Sequence, residues 1–573
     1  MTSSPATSGP ATNDPATSGP VTNAGGVGRS VRRIIVYGVL FVLVCLAAGG
    51  IGDLLTRLID SGRMLFGDDV SGLAVTLAFT FIAGPLAALL WWFAWRANTA
   101  QRERMAVSWG LYTVAMSTVA LIAATTALLQ SASSLVDGSW EPAAFSSAVV
   151  WLGIWGWHRW MRRHPTRGPL RLTGAAPTIG YAYGIVIGAA GGVSALSALL
   201  GTAITRSVEL VTIGDAWWIA VLQGLIWAVG GAGIWWWHWK HDCAETLRAG
   251  LANVAIVLVA GLGSVILALG GIATGLFVAL RLFFDTTDGG DPASRILEPL
   301  GTAIATAVIG ALIWSYYRRP AADHSVLVSS ATRLAASGIT LVAVATGIGI
   351  IVNSIFAAVG APLAETGTRT LLLGGISALV VGGTTWWLVW KPTAIVSAAR
   401  EAAAGRRIYL IAVFGLSAIV AIITVLVIGF RIFEFTLDPV NGGSLLERIR
   451  AAVGLLVATG LVAGYHFTLW NRDRALHPSE PAMVELIGHI TLVTGSDAER
   501  LAGLIADVTG ATVTVLLRAD AADDTPISST ETRAAAKAIT AVQVVAACEG
   551  ITAVRAIVII SRAGEIEVIP LLA

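Results

Sequence analysis

The residues best suited to metal chemistry lie in one short segment, Trp237-His-Trp-Lys-His-Asp-Cys243. His238 and His241 are three residues apart, so both imidazoles can face the same side of one helical turn, where a thiolate from Cys243 could join them. No fourth ligand is evident at a metal-site spacing. The pattern therefore favours no metal site and no cofactor, and it indicates two histidines at the end of a membrane helix.

Recurrent aromatic clusters are the second candidate. An apolar run ends in aromatic residues and then in Arg or Lys six times along the chain, at intervals of roughly 65 to 80 residues, a length that fits two membrane-spanning helices with their loops. The six copies contain Trp91, Trp92 and Trp95 with Arg96; Trp155, Trp157 and Trp160 with Arg162; Trp235, Trp236, Trp237 and Trp239 with Lys240; Trp314, Tyr316 and Tyr317 with Arg318; Trp386, Trp387 and Trp390 with Lys391; and Tyr465, Phe467 and Trp470 with Arg472.

Tryptophan favours the headgroup region of a bilayer, and a following Lys or Arg can extend to phosphate. We therefore predict an interfacial aromatic belt. Its members are Trp91, Trp92, Trp95, Trp160, Trp235, Trp239, Trp386, Trp390 and Trp470. The alternative is a cage that recognises a lipid headgroup or a quaternary amine by cation–π contact. His158, His164, His466 and His477 also lie near helix ends and are interpreted as interfacial polar residues.

Large polar side chains are scarce within the apolar runs. Gln223 and Asn353 are the main ones, and we interpret both as candidates for hydrogen bonds between helices. Because a charge at the bilayer centre costs about 2.5–3.5 kcal/mol, ion pathways usually retain intramembrane acids and bases. Their scarcity here argues against proton coupling and voltage sensing. No serine, histidine and carboxylate recur at a catalytic spacing, so the sequence predicts no enzyme.

Composition places these residues in a membrane protein. The mean hydropathy is +0.76, and charged residues make up 13% of the 573 residues, against about a quarter in soluble proteins. The predicted fold is an all-α polytopic membrane protein with about 12 transmembrane helices arranged as six repeated two-helix hairpins, followed by a small C-terminal α/β domain. The predicted spans are 34–55, 71–95, 106–130, 143–160, 179–204, 216–239, 250–282, 296–317, 333–358, 370–390, 407–433 and 446–470.

Glycines four apart, Gly184/Gly188/Gly192 and Gly271/Gly275, are interpreted as helix-packing positions.

Three regions follow from these patterns. Residues 1–30 repeat a motif rich in Pro, Thr, Ser and Gly and are predicted to be a disordered tail. Residues 32–475 form the transmembrane repeat domain. Residues 482–573 form a domain with βαβαββ order, in which strands at His489–Thr494 and 511–517 each precede a helix, and residues 553–561 and 565–571 form a hairpin. Capping-box spacings at Ser496–Glu499 and Ser528–Glu531 mark the two helix starts.

Charge asymmetry predicts the orientation. Loops after even-numbered helices are basic, as in Arg159, Arg162, Arg163, Arg167 and Arg171, whereas the opposite loops are richer in acids. By the positive-inside rule, both termini and the C-terminal domain are predicted to lie on the cytoplasmic side of a cell membrane. The basic residues form no contiguous patch of the kind that binds nucleic acid.

The hairpin unit, with openings such as Arg406-Arg-Ile-Tyr-Leu-Ile-Ala-Val-Phe-Gly and endings such as Trp386-Trp-Leu-Val-Trp-Lys, resembles the domain-of-unknown-function family 5671 over most of residues 32–475. The resemblance implies an uncharacterised multi-pass protein of bacterial inner membranes and supplies no activity and no site residues.

Two functions therefore stay open. The first is a non-enzymatic membrane scaffold or sensor, anchored in the lipid bilayer, whose C-terminal domain contacts a cytoplasmic protein or small molecule. The second is a transporter or lipid-handling protein that is not coupled through intramembrane charges.

Overall fold

A computed structural model describes most of the chain. The described residues are 24–60, 70–208, 216–248, 250–285, 291–360, 366–394, 400–437, 444–476, 488–494, 498–517, 543, 547, 555–560 and 566–571. Packing divides the chain into two compact units, Met1–His466 and Phe467–Ala573. The predicted tail is largely outside the described residues.

Twelve long helices carry the apolar runs, since about 20 residues at 1.5 Å each cover a hydrocarbon core near 30 Å. They are α1 Ala24–Ile59, α2 Val70–Ala97, α3 Val107–Ser134, α4 Pro142–Arg163, α5 Ala175–Val208, α6 Trp217–His241, α7 Gly250–Phe284, α8 Leu300–His324, α9 Val326–Gly360, α10 Thr366–Ala394, α11 Arg400–Leu437 and α12 Leu445–Leu476. Three of them contain a π-helical segment: Phe79–Ala83 in α2, Trp237–His241 in α6 and Ile256–Gly263 in α7.

Eleven candidate membrane spans are found among the described residues, one fewer than the twelve predicted. The exception is α4, the shortest of the predicted spans. It is helical over Pro142–Arg163, but Arg159, Arg162 and Arg163 in its last turns lower its mean hydropathy. The prediction of a polytopic all-α membrane protein is confirmed, with α4 as an additional helix of the bundle.

Consecutive helices pack in pairs: α1 with α2, α3 with α4, α5 with α6, α7 with α8, and α9 with α10. Helices α4 and α6 both pack on α3, and α8 also packs on α5. Whether the pairs are copies of one repeated unit stays a prediction.

The α5–α6 pair shows how these helices approach one another. Its contacting residues are Gly184 with Trp235, Gly188 with Gly231, Gly191 with Ala228, and Ala195 with Gly224. Residue numbers rise on one helix as they fall on the other, so the helices are antiparallel over about three turns. A methyl group at Gly231 would lie 2.1 Å from the backbone nitrogen of Gly188, so the two backbones are in direct contact there.

Other pairs use glycine in the same way. A methyl group at Gly271 would lie 2.4 Å from the Ala303 carbonyl oxygen of α8, and one at Gly347 would lie 2.5 Å from the Leu379 nitrogen of α10. The predicted packing role is thus confirmed for Gly184, Gly188 and Gly271. Gly275 has nothing within 4 Å of an added methyl group, so its spacing has no packing consequence among the described residues.

The C-terminal unit is a small α/β fold. Its strands are β1 His489–Thr494, β2 Thr512–Leu517, β3 Arg555–Ile560 and β4 Ile566–Leu571, with α13 Ala498–Thr509 between β1 and β2. The strand order is β2-β1-β3-β4, with both β1 pairings parallel and β3–β4 antiparallel. The predicted strands are confirmed to within two residues at each end, and so is the predicted start of the first helix. The predicted second helix, at Ser528–Glu531, lies outside the described residues.

The core of this unit follows from alternation along the strands. Every second residue of β1 and β3 is buried, including Ile490, Leu492 and Val558, and Ile505 of α13 packs on them. Strand β2 alternates more weakly, with Leu516 and Leu517 largely exposed. The sheet therefore has its core under β1 and β3.

Because the α5–α6 contact leaves no room for a side chain, we expect Gly231→Ala to destabilise the bundle by about 1–3 kcal/mol or more. The thermal unfolding midpoint in detergent, followed by tryptophan fluorescence, measures the loss. Gly233→Ala is the matched control, since an added methyl group at Gly233 meets nothing within 4 Å. Equal midpoints for the two variants would contradict the close contact.

Candidate functional site: the aromatic end of the bundle

One end of the helical unit gathers most of its buried rings. We call it the aromatic end; it is where α2, α4, α6, α8 and α10 finish, and it includes Tyr465 and His466 of α12. In the first four helices, Tyr37 of α1 lies 5.4 Å from Trp109 and 5.6 Å from Tyr112 of α3, ring centroid to ring centroid. Trp95 of α2 lies 6.5 Å from Trp109. The rings of α1, α2 and α3 thus form one continuous aromatic cluster.

The structure divides the nine predicted belt residues into three groups. Trp95, Trp239 and Trp390 are buried inside the bundle, whereas Trp92 and Trp160 are exposed on its surface. The half-buried members are Trp91, Trp235, Trp386 and Trp470. The physical reason is helical periodicity, since residues four apart share a face and Trp91/Trp95 and Trp386/Trp390 stack on each other toward the interior. The interfacial role stays a prediction for the exposed rings, while the three buried rings contribute to helix packing.

Several indole N–H groups of the buried and half-buried rings have partners within the protein, whereas Trp386 Nε1 is buried without one among the described residues. Trp235 donates to the Tyr317 hydroxyl at 2.7 Å and Trp239 to the Tyr316 hydroxyl at 3.1 Å, both from α6 to α8. Trp390 of α10 donates to the Tyr465 hydroxyl of α12 at 3.1 Å. These bonds replace the water or headgroup contacts that an interfacial indole would make.

Two buried histidines lie among the rings of this end, His158 beside Tyr112 and His466 beside Trp390. His158 of α4 and His466 of α12 are 0% exposed, and each ring places Nδ1 2.9 Å from the carbonyl oxygen four residues earlier. Since a carbonyl only accepts, each Nδ1 carries the proton and each Nε2 is an acceptor. The Tyr112 hydroxyl lies 3.2 Å from His158 Nε2 and donates to it.

The second histidine differs. His466 Nε2 is buried without a hydrogen-bond partner among the described residues. Tyr409, whose ring centroid lies 6.0 Å from His466, has its hydroxyl 3.1 Å from the Ser337 hydroxyl of α9 instead. The two histidines therefore occupy similar aromatic surroundings but differ in whether their free acceptor is used.

Sequence reasoning missed Tyr112 and Tyr409 and assigned His158 and His466 to the interface. The sequence does contain a pattern that indicates an aromatic environment for both histidines. Each histidine directly follows an aromatic residue, Trp157 or Tyr465, near the end of its helix. Each tyrosine stands near the start of the helix after a Trp-x-x-x-Trp pair. Without the pairing of helices, however, nothing indicates that these rings meet.

The two predicted intramembrane polar residues lie in different surroundings. Gln223 is near the start of α6, with its amide nitrogen 3.4 Å from the Ser133 carbonyl oxygen and 3.3 Å from Asp137, at the end opposite the aromatic end. Asn353 of α9 is half-buried, and its side-chain oxygen has no partner within the described residues. Its backbone lies beside Gly454 of α12, where an added methyl group would lie 2.3 Å from the Gly349 carbonyl oxygen. Only Gln223 shows the predicted hydrogen bond between helices.

A buried carboxylate joins α4 and α6 at the aromatic end. The Asp242 side chain is 3% exposed and accepts two hydrogen bonds from Arg159, at 2.8 and 2.9 Å, and one from Arg163 at 2.6 Å. His238 Nδ1 lies 2.9 Å from its second oxygen. Burial opposes ionisation, but the bonds from His238 and Arg159 outweigh it and hold the pKa of the Asp242 carboxyl well below its usual range. We call this set the Asp242 cluster.

The three candidate metal ligands, His238, His241 and Cys243, each have different surroundings. His238 contacts Asp242, the His241 ring lies 4.4 Å from the Trp237 ring, and Cys243 is exposed with a left-handed φ of 54°. Across the described residues, no group of three or more His, Cys, Asp or Glu side chains is placed to hold a metal ion.

A second buried carboxylate lies at the opposite end. The Asp285 side chain is 1% exposed and is bound by Arg281 at 2.8 Å and by Arg369 of α10 at 2.6 Å. Arg281 also contacts Asp291 at 2.7 Å, and its guanidinium holds the pKa of the Asp291 carboxyl below its usual range. A cleft of about 470 Å³ opens at this end, lined by residues such as Thr205, Arg295 and Glu298.

Fold and site together define a polytopic helical membrane protein with buried aromatic clusters at one end. A model of the family described as Domain of unknown function (DUF5671) matches the chain twice, over residues 33–155 and 330–461. The chain thus carries two segments of this family, and the resemblance seen in the sequence is confirmed there. No curated protein and no solved structure gives a significant match.

Each matched segment begins in the first helix and ends in the last helix of a four-helix set, α1–α4 or α9–α12. Trp95 and Tyr112 lie within one match, and Trp390 and Tyr409 within the other. His158 and His466 follow a few residues beyond the two ends. The family segments therefore bring equivalent rings to the aromatic end in both halves of the bundle.

Asp242→Asn removes the negative charge and one of the two acceptor oxygens that bind Arg159 and Arg163, so we expect it to cost about 3–5 kcal/mol. The thermal midpoint in detergent reports this loss. Glu245→Gln, which breaks the exposed pair with Lys240, is the control and should cost about 0–1 kcal/mol. A control shift as large as that of Asp242→Asn would show that the cluster does not stabilise the bundle.

The two histidines allow a matched comparison. His158→Leu leaves the buried Tyr112 hydroxyl without its acceptor and should cost about 1–3 kcal/mol more than His466→Leu. Both variants lose the same bond from Nδ1 to a backbone carbonyl, so the difference between their thermal midpoints isolates the contact with tyrosine. A larger loss for His466→Leu would refute the assignment.

Proposed function

We propose that the protein is a non-enzymatic membrane scaffold or sensor, in which the helical unit is a rigid anchor and the C-terminal α/β unit binds a protein or small-molecule partner. The observation that carries this proposal is direct backbone contact within three successive helix pairs, α5–α6, α7–α8 and α9–α10. Such contact leaves no aqueous path between the paired helices. It suits a fixed anchor better than a protein whose helices must separate during a cycle.

Ion pairs at both ends support the same proposal. The Asp242 cluster joins α4 to α6 at the aromatic end, and Asp285 joins α7 to α10 at the other. Breaking a buried pair by moving one partner away costs several kcal/mol. Opening the bundle at either end would require this free energy.

The second candidate is a transporter or lipid-handling protein. Asn353 favours it, because its half-buried side-chain oxygen lacks a partner in the described structure and could contact a polar substrate. The close approach of Gly349 to Gly454 beside it argues for packing instead.

The direction of insertion belongs to the proposal. Arg96, Arg102, Arg104, Arg167 and Arg171 all lie at the aromatic end, and the positive-inside rule places such a surplus in the cytoplasm. We therefore place the aromatic end, both termini and the α/β unit on the cytoplasmic side of a bacterial inner membrane.

Thiol accessibility distinguishes the two functions. The background variant has Cys45, Cys243 and Cys548 changed to serine, and Asn353→Cys is added to it. We expect this cysteine to resist a membrane-impermeant maleimide added outside inverted vesicles, which expose the cytoplasmic face, and outside right-side-out vesicles, which expose the other face. Labelling from either side would indicate a water-filled path and would favour transport. Mass spectrometry of the intact protein measures the labelled fraction.

Arg102→Cys, in the short exposed helix Gln101–Arg104, is the control for reagent and orientation. It should be labelled in inverted vesicles only. Labelling in right-side-out vesicles would reverse the proposed topology without affecting the distinction between scaffold and transporter.

A further inference from the structure

The Asp242 cluster carries more positive charge than its single carboxylate can neutralise. Three arginines of α4 act on Asp242: Arg159 and Arg163 through hydrogen bonds, and Arg162 through its charge. With one carboxylate for three guanidiniums, two positive charges remain, not counting His238. A concentrated surplus of this kind attracts a second anion.

Arg162 is the arginine that this carboxylate does not bind directly. Its side chain is half-buried, and its Nε is buried without a hydrogen-bond partner in the described structure. Buried polar groups are nearly always hydrogen-bonded, so an orphaned guanidinium nitrogen indicates a missing acceptor. Guanidinium groups match phosphate oxygens in geometry and charge.

The surrounding surface is suited to a lipid. Trp160 of α4 is 50% exposed, and Trp236 and Trp237 of α6 are 55% and 36% exposed. The Arg159 guanidinium lies 5.1 Å from the Trp237 ring, so the basic cluster and the exposed rings are continuous. Exposed tryptophans beside arginine at the end of an apolar helix mark the depth of phospholipid headgroups.

The cluster is also held in place before any ligand binds. The loop after α4 is fixed by bonds from Arg104 to the Gly168 and Pro165 carbonyl oxygens and from Trp109 to the Arg167 carbonyl oxygen. Arg163 is 53% exposed next to Arg162 and can reach a headgroup from solvent. A preformed site of this kind loses little conformational entropy on binding.

We propose that the phosphate of an acidic phospholipid binds Arg162 and Arg163 at the aromatic end, next to the Asp242 cluster. The site is distinct from the partner surface of the α/β unit and does not depend on the scaffold function. It predicts a preference of the protein for anionic over zwitterionic lipids.

Native mass spectrometry of the full-length protein, titrated with phosphatidylglycerol or phosphatidylcholine in detergent, tests the proposal. We expect tighter binding of phosphatidylglycerol, and we expect Arg162→Gln to weaken it by about fivefold, the effect of one basic residue near an anionic surface. Arg102→Gln, which removes an exposed charge from the same end, should leave binding unchanged. Equal affinity for the two lipids, or equal losses in the two variants, would overturn the proposal.

Inorganic phosphate distinguishes the lipid from a free anion. If it displaces phosphatidylglycerol completely at matched concentration, the site binds free phosphate and the lipid assignment is wrong. Should Arg162→Gln fail to fold, the wild-type lipid preference still decides the matter. Arg162→Lys, which keeps the charge, is then expected to retain that preference, and its loss would count against the proposal.

Discussion

Helices in a bilayer must associate without a hydrophobic driving force, because lipid chains are as apolar as the side chains they replace. The bundle depends on this constraint. Gly188 and Gly231 bring two backbones into contact, and the same solution recurs at Gly271 and Gly347. Close approach maximises dispersion contacts and places the short polar groups of neighbouring helices within bonding range, as with the Ser197 and Thr302 hydroxyls at 2.6 Å. Bulky residues are then displaced toward the helix ends and the lipid-facing surface.

The aromatic end is where many of these bulky residues gather. A tryptophan at a helix end can satisfy its N–H either in the headgroup region or within the protein, and this chain does both. Trp92 and Trp160 remain exposed, while Trp239 and Trp390 donate to tyrosine hydroxyls of another helix. The hydrogen bonds within the protein fix the relative orientation of neighbouring helices, which glycine contacts alone do not specify. They align α6 with α8 and α10 with α12 at a defined depth.

Most of the fold could be predicted from sequence because length and hydropathy determine where helices can span, and alternation determines strands such as His489–Thr494. Helix α4 is the exception. It is helical and packs on α3, but the arginines in its last turns lower its mean hydropathy, so it is not among the candidate membrane spans. The site was less predictable. Whether Trp95 faces lipid or protein depends on which helices surround α2, and the partners of Asp242 come from Arg159 and Arg163, about 80 residues away along the chain. Contacts of this kind follow from helix arrangement, which a single sequence does not reveal.

The two four-helix sets α1–α4 and α9–α12 differ at the point where their rings meet. In the first, Tyr112 donates to His158, so the histidine and tyrosine satisfy each other. In the second, Tyr409 bonds to Ser337, and His466 keeps an acceptor without a partner in the described structure. A fully satisfied pair stabilises its surroundings, whereas an unused acceptor in a buried site costs free energy that packing around it must offset. The first four-helix set therefore satisfies its histidine–tyrosine pair internally and joins the Asp242 cluster through Arg159 and Arg163 of α4, whereas in the second set His466 Nε2 can accept a further hydrogen bond.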